Sequence, residues 1–352
     1  MGRKTTHSYK SKVGCIRIHK CIMILVLQLL FFHTYMNKVP LVMITSICPS
    51  KILLIKSGAK TNNAANGVIG MNWGRQSAQR LVPSMVVDLL LQNGVNDARI
   101  YTSQDDILQA FVGSGINLTI GIFNTYAIST KEQAKAWVQK NVPYYSSANI
   151  RQVYIGNYIF TQALNNTKLI DAGINTLTLV QTALNEAGYG DHIKATLPHT
   201  FAIVKDNITR PSEAEFKDKL KDAMNTTLRF LQQNNAPFVV EIFPISYVTE
   251  NKLDPSFAFP DNKSTHVVTD VSGPCTPTCS NSRYDSFVWA LEKAGAPDMK
   301  LIVGQVGWPT DGYPAPTRRQ PSGSTKASYR LWRATRGPRN APDRPSTHTC
   351  TA

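Results

Sequence analysis

The chain has 352 residues and a formal net charge of +15, but the excess positive charge lies at its two ends. Residues 1–63 contain 10 Lys or Arg and no Asp or Glu, whereas residues 64–312 contain 20 basic and 22 acidic side chains. The central part is therefore close to neutral, which argues against a nucleic-acid partner and leaves room for one α/β barrel of about 250 residues.

The first 66 residues have the composition of a targeting segment. Six basic side chains precede the apolar run 22–32, which has the length of a signal-peptide core and is short for a membrane span. A second apolar stretch, 39–55, is interrupted by Pro40, Pro49 and Lys51. We expect a secreted protein. The alternative is an uncleaved membrane anchor through residues 22–55.

Short apolar runs then alternate with helical patterns over residues 67–313. Strands are predicted at 67–73, 98–101, 117–123, 151–156, 193–197, 238–243 and 301–306, and helices at 83–94, 105–113, 130–142, 171–188, 212–234 and 284–295. This alternation is typical of a parallel sheet. Because the strands read as apolar on both faces, we predict a TIM (β/α)8-type barrel rather than an open sheet.

The pattern stops one strand short of eight. Residues 254–281, rich in Pro, Ser, Thr and Asp, predict an irregular excursion, and residues 314–352 form a basic tail rich in Arg, Pro and Ser. The tail lacks apolar periodicity, which is typical of a disordered segment. A frame-shifted or mis-spliced end would have the same composition. The barrel is therefore expected to be truncated or altered after strand seven.

Cofactor and metal signals are weak in the central part. Asn72-Trp-Gly-Arg75 after the first strand is not a dinucleotide-binding loop, and Cys275 and Cys279 lack a second ligand pair for zinc. We expect no cofactor, no metal and a local disulfide between the two cysteines. Five Asn-X-Ser/Thr sequons, at Asn117, Asn165, Asn207, Asn225 and Asn262, fit a secreted glycoprotein, although Asn117 falls in a predicted strand.

Barrel sites lie at the carboxyl ends of the strands, which narrows the search for functional residues. The residues at these ends are Trp73, Tyr101, Phe123, Asn157, Tyr158, Glu241, Phe243, Gln305 and Trp308.

Several of these strand ends resemble the plant β-1,3-glucanases of glycoside hydrolase family 17. The most specific match is Gly307-Trp-Pro-Thr-Asp-Gly312 at the end of strand seven. Ile69-Gly-Met-Asn-Trp-Gly74, Ala98-Arg-Ile-Tyr101, Tyr154-Ile-Gly-Asn157 and Asn235-Ala-Pro-Phe238 are also similar. The resemblance covers about residues 67–313 and implies a (β/α)8 barrel that acts on β-1,3-glucan or a related cell-wall polysaccharide.

The same resemblance places both catalytic positions on residues that cannot perform the reaction. The family's acid follows Gly-Asn at the end of strand four, and its nucleophile lies two residues before Gly-Trp-Pro; here these positions are Tyr158 and Gln305. Retaining glycosidases need two carboxyl groups there. The family pattern Asn-Ile-Tyr-Pro on strand six is Glu241-Ile-Phe-Pro244 here, so a tyrosine hydroxyl is lost at Phe243 and a new acid appears.

Three interpretations remain open. The chain is a secreted, monomeric glucanase-fold protein that binds glucan through Asn157, Tyr101, Trp73, Phe243 and Trp308 but is catalytically impaired. Alternatively, it is an active glycosidase that uses a substitute acid such as Glu241, whose other interpretation is a salt-bridged residue at the barrel mouth. The third interpretation is a non-functional product of an aberrant gene model.

Overall fold

The computed structural model describes the backbone of residues 33–35, 68–75, 80–124, 128–164, 166–258, 264–270, 273–276 and 279–306. Trp308, Asp311 and the tail 314–352 lie outside these residues. Within the described ranges, no helix is both long and apolar enough to cross a lipid bilayer.

Strands and helices alternate along the chain as the hydrophobic pattern predicts. The first part contains β1 (His33–Tyr35), β2 (Val68–Trp73), α1 (Pro83–Gln92), β3 (Asp97–Ile100), α2 (Asp105–Phe111), β4 (Asn117–Ile122), α3 (Lys131–Asn141), β5 (Ile150–Ile155), α4 (Ile159–Gln162) and α5 (Thr167–Glu186). The second part contains β6 (Lys194–Thr196), β7 (Pro198–Thr200), α6 (Lys221–Gln233), β8 (Phe238–Ile242), α7 (Pro244–Glu250), β9 (Val268–Asp270), β10 (Gly273–Thr276), α8 (Cys279–Lys293) and β11 (Leu301–Val306).

Local sequence signals explain where several helices begin. Pro83 occupies the first turn of α1, where its missing N–H costs no hydrogen bond. Thr130 caps α3 in a reciprocal pair with Gln133, each side chain accepting from the other residue's backbone N–H. Helix α6 begins at Lys221, later than the predicted 212, because two 3-10 turns at Pro211–Glu213 and Asp218–Leu220 precede it.

The main sheet has the strand order β6-β5-β4-β3-β2-β1-β11-β8-β7. Strands β6 and β7 stand at opposite ends of this order, yet only Leu197 separates them in the chain. Residues 194–200 therefore pair with β5 through their first half and with β8 through their second. The hydrogen-bonded neighbours follow one another around a ring, with parallel pairing except at β1, which gives the TIM-barrel-like α/β fold expected from the sequence.

An amino-terminal strand occupies the eighth position of this ring. The short strand β1 pairs antiparallel with β2, where Thr34 faces Ile69, and with β11, where Thr34 faces Val303. Sequence analysis assigned residues 1–66 to a targeting segment and found no eighth strand after strand seven. The structure corrects the strand count, because an antiparallel neighbour comes from the segment that precedes the barrel.

Apolar side chains fill both sides of the ring. The larger cluster lies between strands and helices and includes Val153, Val240 and Val303. A separate buried cluster of Tyr154, Val239 and Ile302 lies on the opposite face, which is the interior of the ring. The interior is therefore a packed core below the strand ends rather than a pore.

The excursion at 254–281 holds more structure than predicted. It contains the antiparallel pair β9 and β10 and the first residues of α8. The predicted disulfide between Cys275 and Cys279 is wrong, because Cys279 is a free thiol buried at the start of α8. Burial raises the pKa of this thiol to about 12.

The role of β1 can be tested with Thr34→Pro. Proline lacks the N–H needed for strand pairing, and Thr34 is the residue paired on both sides. We expect a loss of about 1–3 kcal/mol in the free energy of unfolding, seen as a lower Tm. Thr45→Pro, in the same amino-terminal segment but outside β1, serves as the control. Equal Tm values for the two variants would show that β1 does not stabilise the ring.

A second stability prediction concerns Asp97 at the start of β3. Asp97 is 6% exposed, and burial raises its pKa to about 6 against the opposing effects of Asn117 and Arg151. Because the folded state disfavours the ionised form, stability falls as pH rises from about 4 to about 6, by up to about 3 kcal/mol. Asp97→Asn should raise Tm at pH 7, with the gain shrinking below about pH 4. The same exchange at Asp88, exposed on α1, is the control; a pH-independent effect at Asp97 would contradict this account.

Candidate functional site at the carboxyl ends of the strands

A buried ion pair crosses the interior of the ring just below the strand ends. Arg99 on β3 donates from Nη1 to Glu241 Oε1 on β8 at 2.6 Å, and the two residues are 2% and 1% exposed. The same guanidinium reaches the carbonyl oxygen of Gly304 at 3.4 Å and, through Nη2, Asn157 Oδ1 at 3.3 Å. One cation thus connects four strands or strand ends.

Aromatic rings enclose the guanidinium. Arg99 Cζ lies 4.5 Å from the centre of the Tyr101 ring and 4.6 Å from that of Tyr154. Burial by itself would lower the pKa of Arg99, but Glu241 and the surrounding phenols act in the opposite direction and leave this pKa above its ordinary value. Arg99 therefore carries its charge at every physiological pH.

A β-bulge brings Gln305 to the same centre. Val303 pairs with Val240 and Gln305 with Glu241, so Gly304 is an extra residue on β11. Ile302 faces the interior of the ring, and regular alternation would turn residue 305 away from that face. The extra residue turns Gln305 inward, beside Glu241. A Cβ at Gly304 would lie 2.8 Å from Val239 Cγ1 and 3.3 Å from Tyr154, which explains the glycine.

Two phenols converge on the Gln305 amide. Tyr101 donates its O–H to Gln305 Oε1 at 2.9 Å, and Tyr158 donates to the same oxygen at 3.5 Å. Asn72 supports this arrangement from β2, because its Nδ2 donates to the Tyr101 hydroxyl at 3.3 Å and to the Gly304 carbonyl at 3.0 Å. The centre of the site is thus a connected set of neutral groups around one ion pair.

The turn after β5 positions Tyr158 and Asn157. Tyr158 has a φ of +58°, which is uncommon for a residue with a Cβ, and it follows Gly156 at +66°. Asn124 holds the turn, since its side chain donates to the carbonyl of Asn157 and accepts from the same residue's N–H. The Tyr158 ring meets Phe243 edge to face, with 5.9 Å between ring centres.

Comparison with known proteins places the chain in a family. A family model described as Glycosyl hydrolases family 17 matches residues 69–346. The chain belongs to glycosyl hydrolase family 17. The match extends beyond residue 313, where the internal alternation of strands and helices ends in the sequence.

Two glucan endo-1,3-beta-glucosidases of Arabidopsis thaliana, numbers 5 and 8, are 34% and 32% identical to the chain over 251 and 252 residues. These matches cover 69% of the chain but 51% and 52% of the two relatives, so the chain spans about half the length of the curated relatives it matches. A glucan endo-1,3-beta-glucosidase of Vitis vinifera is 30% identical, covering 71% of the chain and 73% of that protein.

Solved structures agree with this assignment. CJP38, described as a beta-1,3-glucanase and allergen of Cryptomeria japonica pollen, superimposes with a TM-score of 0.64 at 27% identity and covers 69% of the chain and 76% of its own. A plant beta-glucan endohydrolase gives a TM-score of 0.63 at 26% identity, with coverages of 75% and 82%.

The family 17 chain keeps both phenols protonated at this centre. Burial, followed by the negative charge of Glu241, raises the pKa of Tyr158 far above its ordinary value. Burial also raises the pKa of Tyr101 to about 12. Neither phenol is suited to general acid catalysis, which works best when the pKa lies near the working pH. Among the described residues, Glu241 is the carboxylate that reaches the centre, and Arg99 holds it.

The structure gathers most residues that sequence analysis selected. Tyr101, Asn157, Tyr158, Glu241, Phe243 and Gln305 surround one centre. Trp73 is 2% exposed and belongs to the larger core cluster, which favours its packing interpretation over sugar contact. Phe123 is 55% exposed and lines a cleft together with Arg75, Asp106 and Trp137.

Sequence analysis missed the residues that hold the centre together. Arg99, Asn72 and Tyr154 were quoted within motifs but were not selected as site residues. A single arginine inside an apolar strand was the available signal, since Arg is almost never fully buried without a partner. In the part of the chain that the structure describes, no group of three or more His, Cys, Asp or Glu side chains is placed to hold a metal ion.

The bulge at Gly304 can be tested with Gly304→Ala. The new methyl group would press on Val239 and Tyr154 in a filled interior, and such overpacking costs about 1–3 kcal/mol. Gly74→Ala is the matched control, because its nearest neighbour would be Tyr101 at 3.5 Å, an ordinary contact. We expect thermal melts to show a clear loss of stability for Gly304→Ala and a small change for Gly74→Ala. Equal losses would show that close packing does not require a glycine at 304.

Proposed function

We propose that this family 17 chain binds β-1,3-glucan at the carboxyl ends of the strands without hydrolysing it efficiently. The observation that carries the proposal is the neutral pairing of Tyr158 and Gln305, whose side chains meet through a hydrogen bond at 3.5 Å. These positions correspond to the acid and the nucleophile in the family pattern. A centre built from a phenol and an amide can recognise hydroxyl groups but lacks the groups that cleave the bond.

The chemistry of the family defines what is missing. Retaining glycosidases place two carboxyl groups about 5–5.5 Å apart, one to protonate the leaving oxygen and one to attack the sugar. A primary amide cannot form the glycosyl ester, and a phenol whose pKa is raised by burial does not release its proton at neutral pH. Losing both functions lowers the rate by several orders of magnitude.

Binding is supported by the groups that remain. Asn157, Tyr101 and Tyr158 are partly exposed and provide amide and hydroxyl groups, while Phe243 provides an aromatic edge. Sugar sites combine apolar or aromatic surface with a few placed polar groups, which fits this lining. The names of the relatives point to β-1,3-glucan as the polysaccharide. A secreted, glycosylated monomer that meets glucan in the cell wall is consistent with exposed sequons at Asn207 and Asn225.

A second function, hydrolysis through Glu241, has one observation in its favour. Glu241 is the strand partner of Gln305, so a carboxylate lies one strand away from the nucleophile position. Against this function, Glu241 is 1% exposed and bound to Arg99 at 2.6 Å. A nucleophile must approach the sugar carbon in a defined geometry, which a buried ion pair does not allow.

The proposal is tested with purified protein and laminarin, a soluble β-1,3-glucan. We expect saturable quenching of tryptophan fluorescence and no release of reducing ends. Asn157→Ala should weaken binding about tenfold, because one to two hydrogen bonds are lost. Gln233→Ala, exposed on α6 and outside every sequon, should bind as the parent does, and Tm values for both variants separate lost contacts from lost folding.

Two results would contradict the proposal in different ways. Release of reducing ends that disappears in Glu241→Gln would establish the hydrolytic alternative. A cooperatively folded protein that does not bind laminarin would remove glucan binding, whereas the absence of a cooperative melt would favour the interpretation as an aberrant product.

A further inference from the structure

The buried guanidinium of Arg99 needs one carboxylate, and this chain supplies it from an unusual strand. We propose that Glu241 on β8 has taken over from position 305 on β11 the task of balancing the charge of Arg99. The inference rests on the proposed loss of hydrolysis at the same site. Glu241 is then a positioning residue that acts through Arg99. The amide at 305 and the acid at 241 belong to one exchange, in which the carboxylate has moved from β11 to β8.

Geometry makes such an exchange possible. Residues 241 and 305 are direct partners on neighbouring parallel strands. Glu241 faces the interior of the ring by the regular alternation of β8, and the bulge at Gly304 turns Gln305 to the same side. Glu241 Oε1 contacts Arg99 directly. Gln305 Oε1 accepts from Tyr101, whose ring lies against the same guanidinium. A carboxylate on either strand would therefore lie within the field of one cation.

The number of charged side chains at the centre of the ring also supports the exchange of the carboxylate between 305 and 241. Of the residues that the structure describes at this centre, Arg99 is the cation and Glu241 is the anion. In the family pattern residue 241 is Asn and residue 305 is Glu, so this chain has moved an acid by one strand. A buried cation without a partner is strongly destabilising, and two adjacent carboxylates repel each other. One carboxylate beside Arg99 neutralises the buried cation and avoids the repulsion between two adjacent carboxylates.

The fit of the substitute carboxylate is incomplete. Glu241 Oε2 is buried and has no hydrogen-bond partner, although Oε1 is bound to Arg99. A carboxylate kept for a dense hydrogen-bond network would have both oxygens satisfied. The contact with Arg99 and the unpaired Oε2 agree with a residue whose main task is to neutralise a charge.

The carboxylate of Glu241 is expected to hinder the restoration of a nucleophile at position 305. Gln305→Glu alone places a second carboxylate next to Glu241, and the repulsion favours a shared proton over two ionised groups. A nucleophile must be ionised, so Tyr158→Glu with Gln305→Glu should work poorly while Glu241 remains. Adding Glu241→Asn would leave the nucleophile position as the partner of Arg99.

A swap of the two side chains tests the proposal. Four full-length proteins are compared by thermal melts at pH 7: the parent, Glu241→Gln, Gln305→Glu, and the double variant that exchanges amide and acid between the two positions. We expect each single change to lower Tm, with Glu241→Gln losing about 10 °C, and the double variant to recover more than half of that loss. If Glu241→Gln fails to fold, recovery of soluble, cooperatively melting protein in the double variant is the same readout.

Controls make the recovery specific to the site. Gln305→Glu should not rescue Glu215→Gln, which removes an acid from a surface pair with Lys205 at 3.1 Å. The Tm deficit of Gln305→Glu relative to the parent should shrink between pH 7 and pH 5, as one of the paired carboxyls takes up a proton. Losses in the double variant that equal the sum of the single losses, or a neutral Glu241→Gln, would overturn the proposal.

Activity provides a second readout with the same protein set. The triple variant Tyr158→Glu, Gln305→Glu and Glu241→Asn should release reducing ends from laminarin at least about tenfold faster than the corresponding double variant at pH 6. Any other order, including inactivity of both, counts against Glu241 as the obstacle. The melts need no glucan, so their failure overturns the carboxylate exchange alone, whereas failure to bind laminarin overturns the proposed function.

Discussion

The ion pair between Arg99 and Glu241 is the interaction on which the rest of the site depends. Its guanidinium reaches β8 directly, the carbonyl of Gly304 on β11 and the side chain of Asn157 after β5. Removing either charge would leave the other buried in the interior of the ring, where an isolated charge costs several kcal/mol. Every polar group around it must therefore be neutral or paired, which constrains the chemistry that the site can perform.

The phenols and the amide beside the ion pair are uncharged groups, in keeping with this constraint. The charges of Arg99 and Glu241 shift the pKa values of both Tyr101 and Tyr158. Burial has the larger effect on these pKa values and keeps both phenols protonated. Their hydroxyl groups donate to the oxygen of Gln305. The result is a preorganised, uncharged set of hydrogen-bonding groups, which suits recognition of a neutral polysaccharide better than proton transfer.

Periodicity predicted the repeated strands and helices of the ring because each strand is buried on both faces. It predicted Leu301–Val306 at its observed bounds, and the strand-end rule selected Tyr158, Glu241 and Gln305. Periodicity could not predict the bulge at Gly304, since a single extra residue does not change the pattern of a continuous apolar run. It also could not predict β1, because a three-residue strand between two apolar runs has no periodic signal, and its partners are distant in the chain.

The position of Glu241 bears on which interpretation of the chain is correct. Random loss of the nucleophile would leave Arg99 without a carboxylate, and the ring would be destabilised at its centre. Here the acid that is absent at 305 is matched by an acid at its strand partner, and the charge of the buried centre stays balanced. A protein that needed neither a folded ring nor a formed site would gain nothing from this compensation. The matched pair therefore favours a folded protein with a balanced charge at its centre over a decayed or aberrant product.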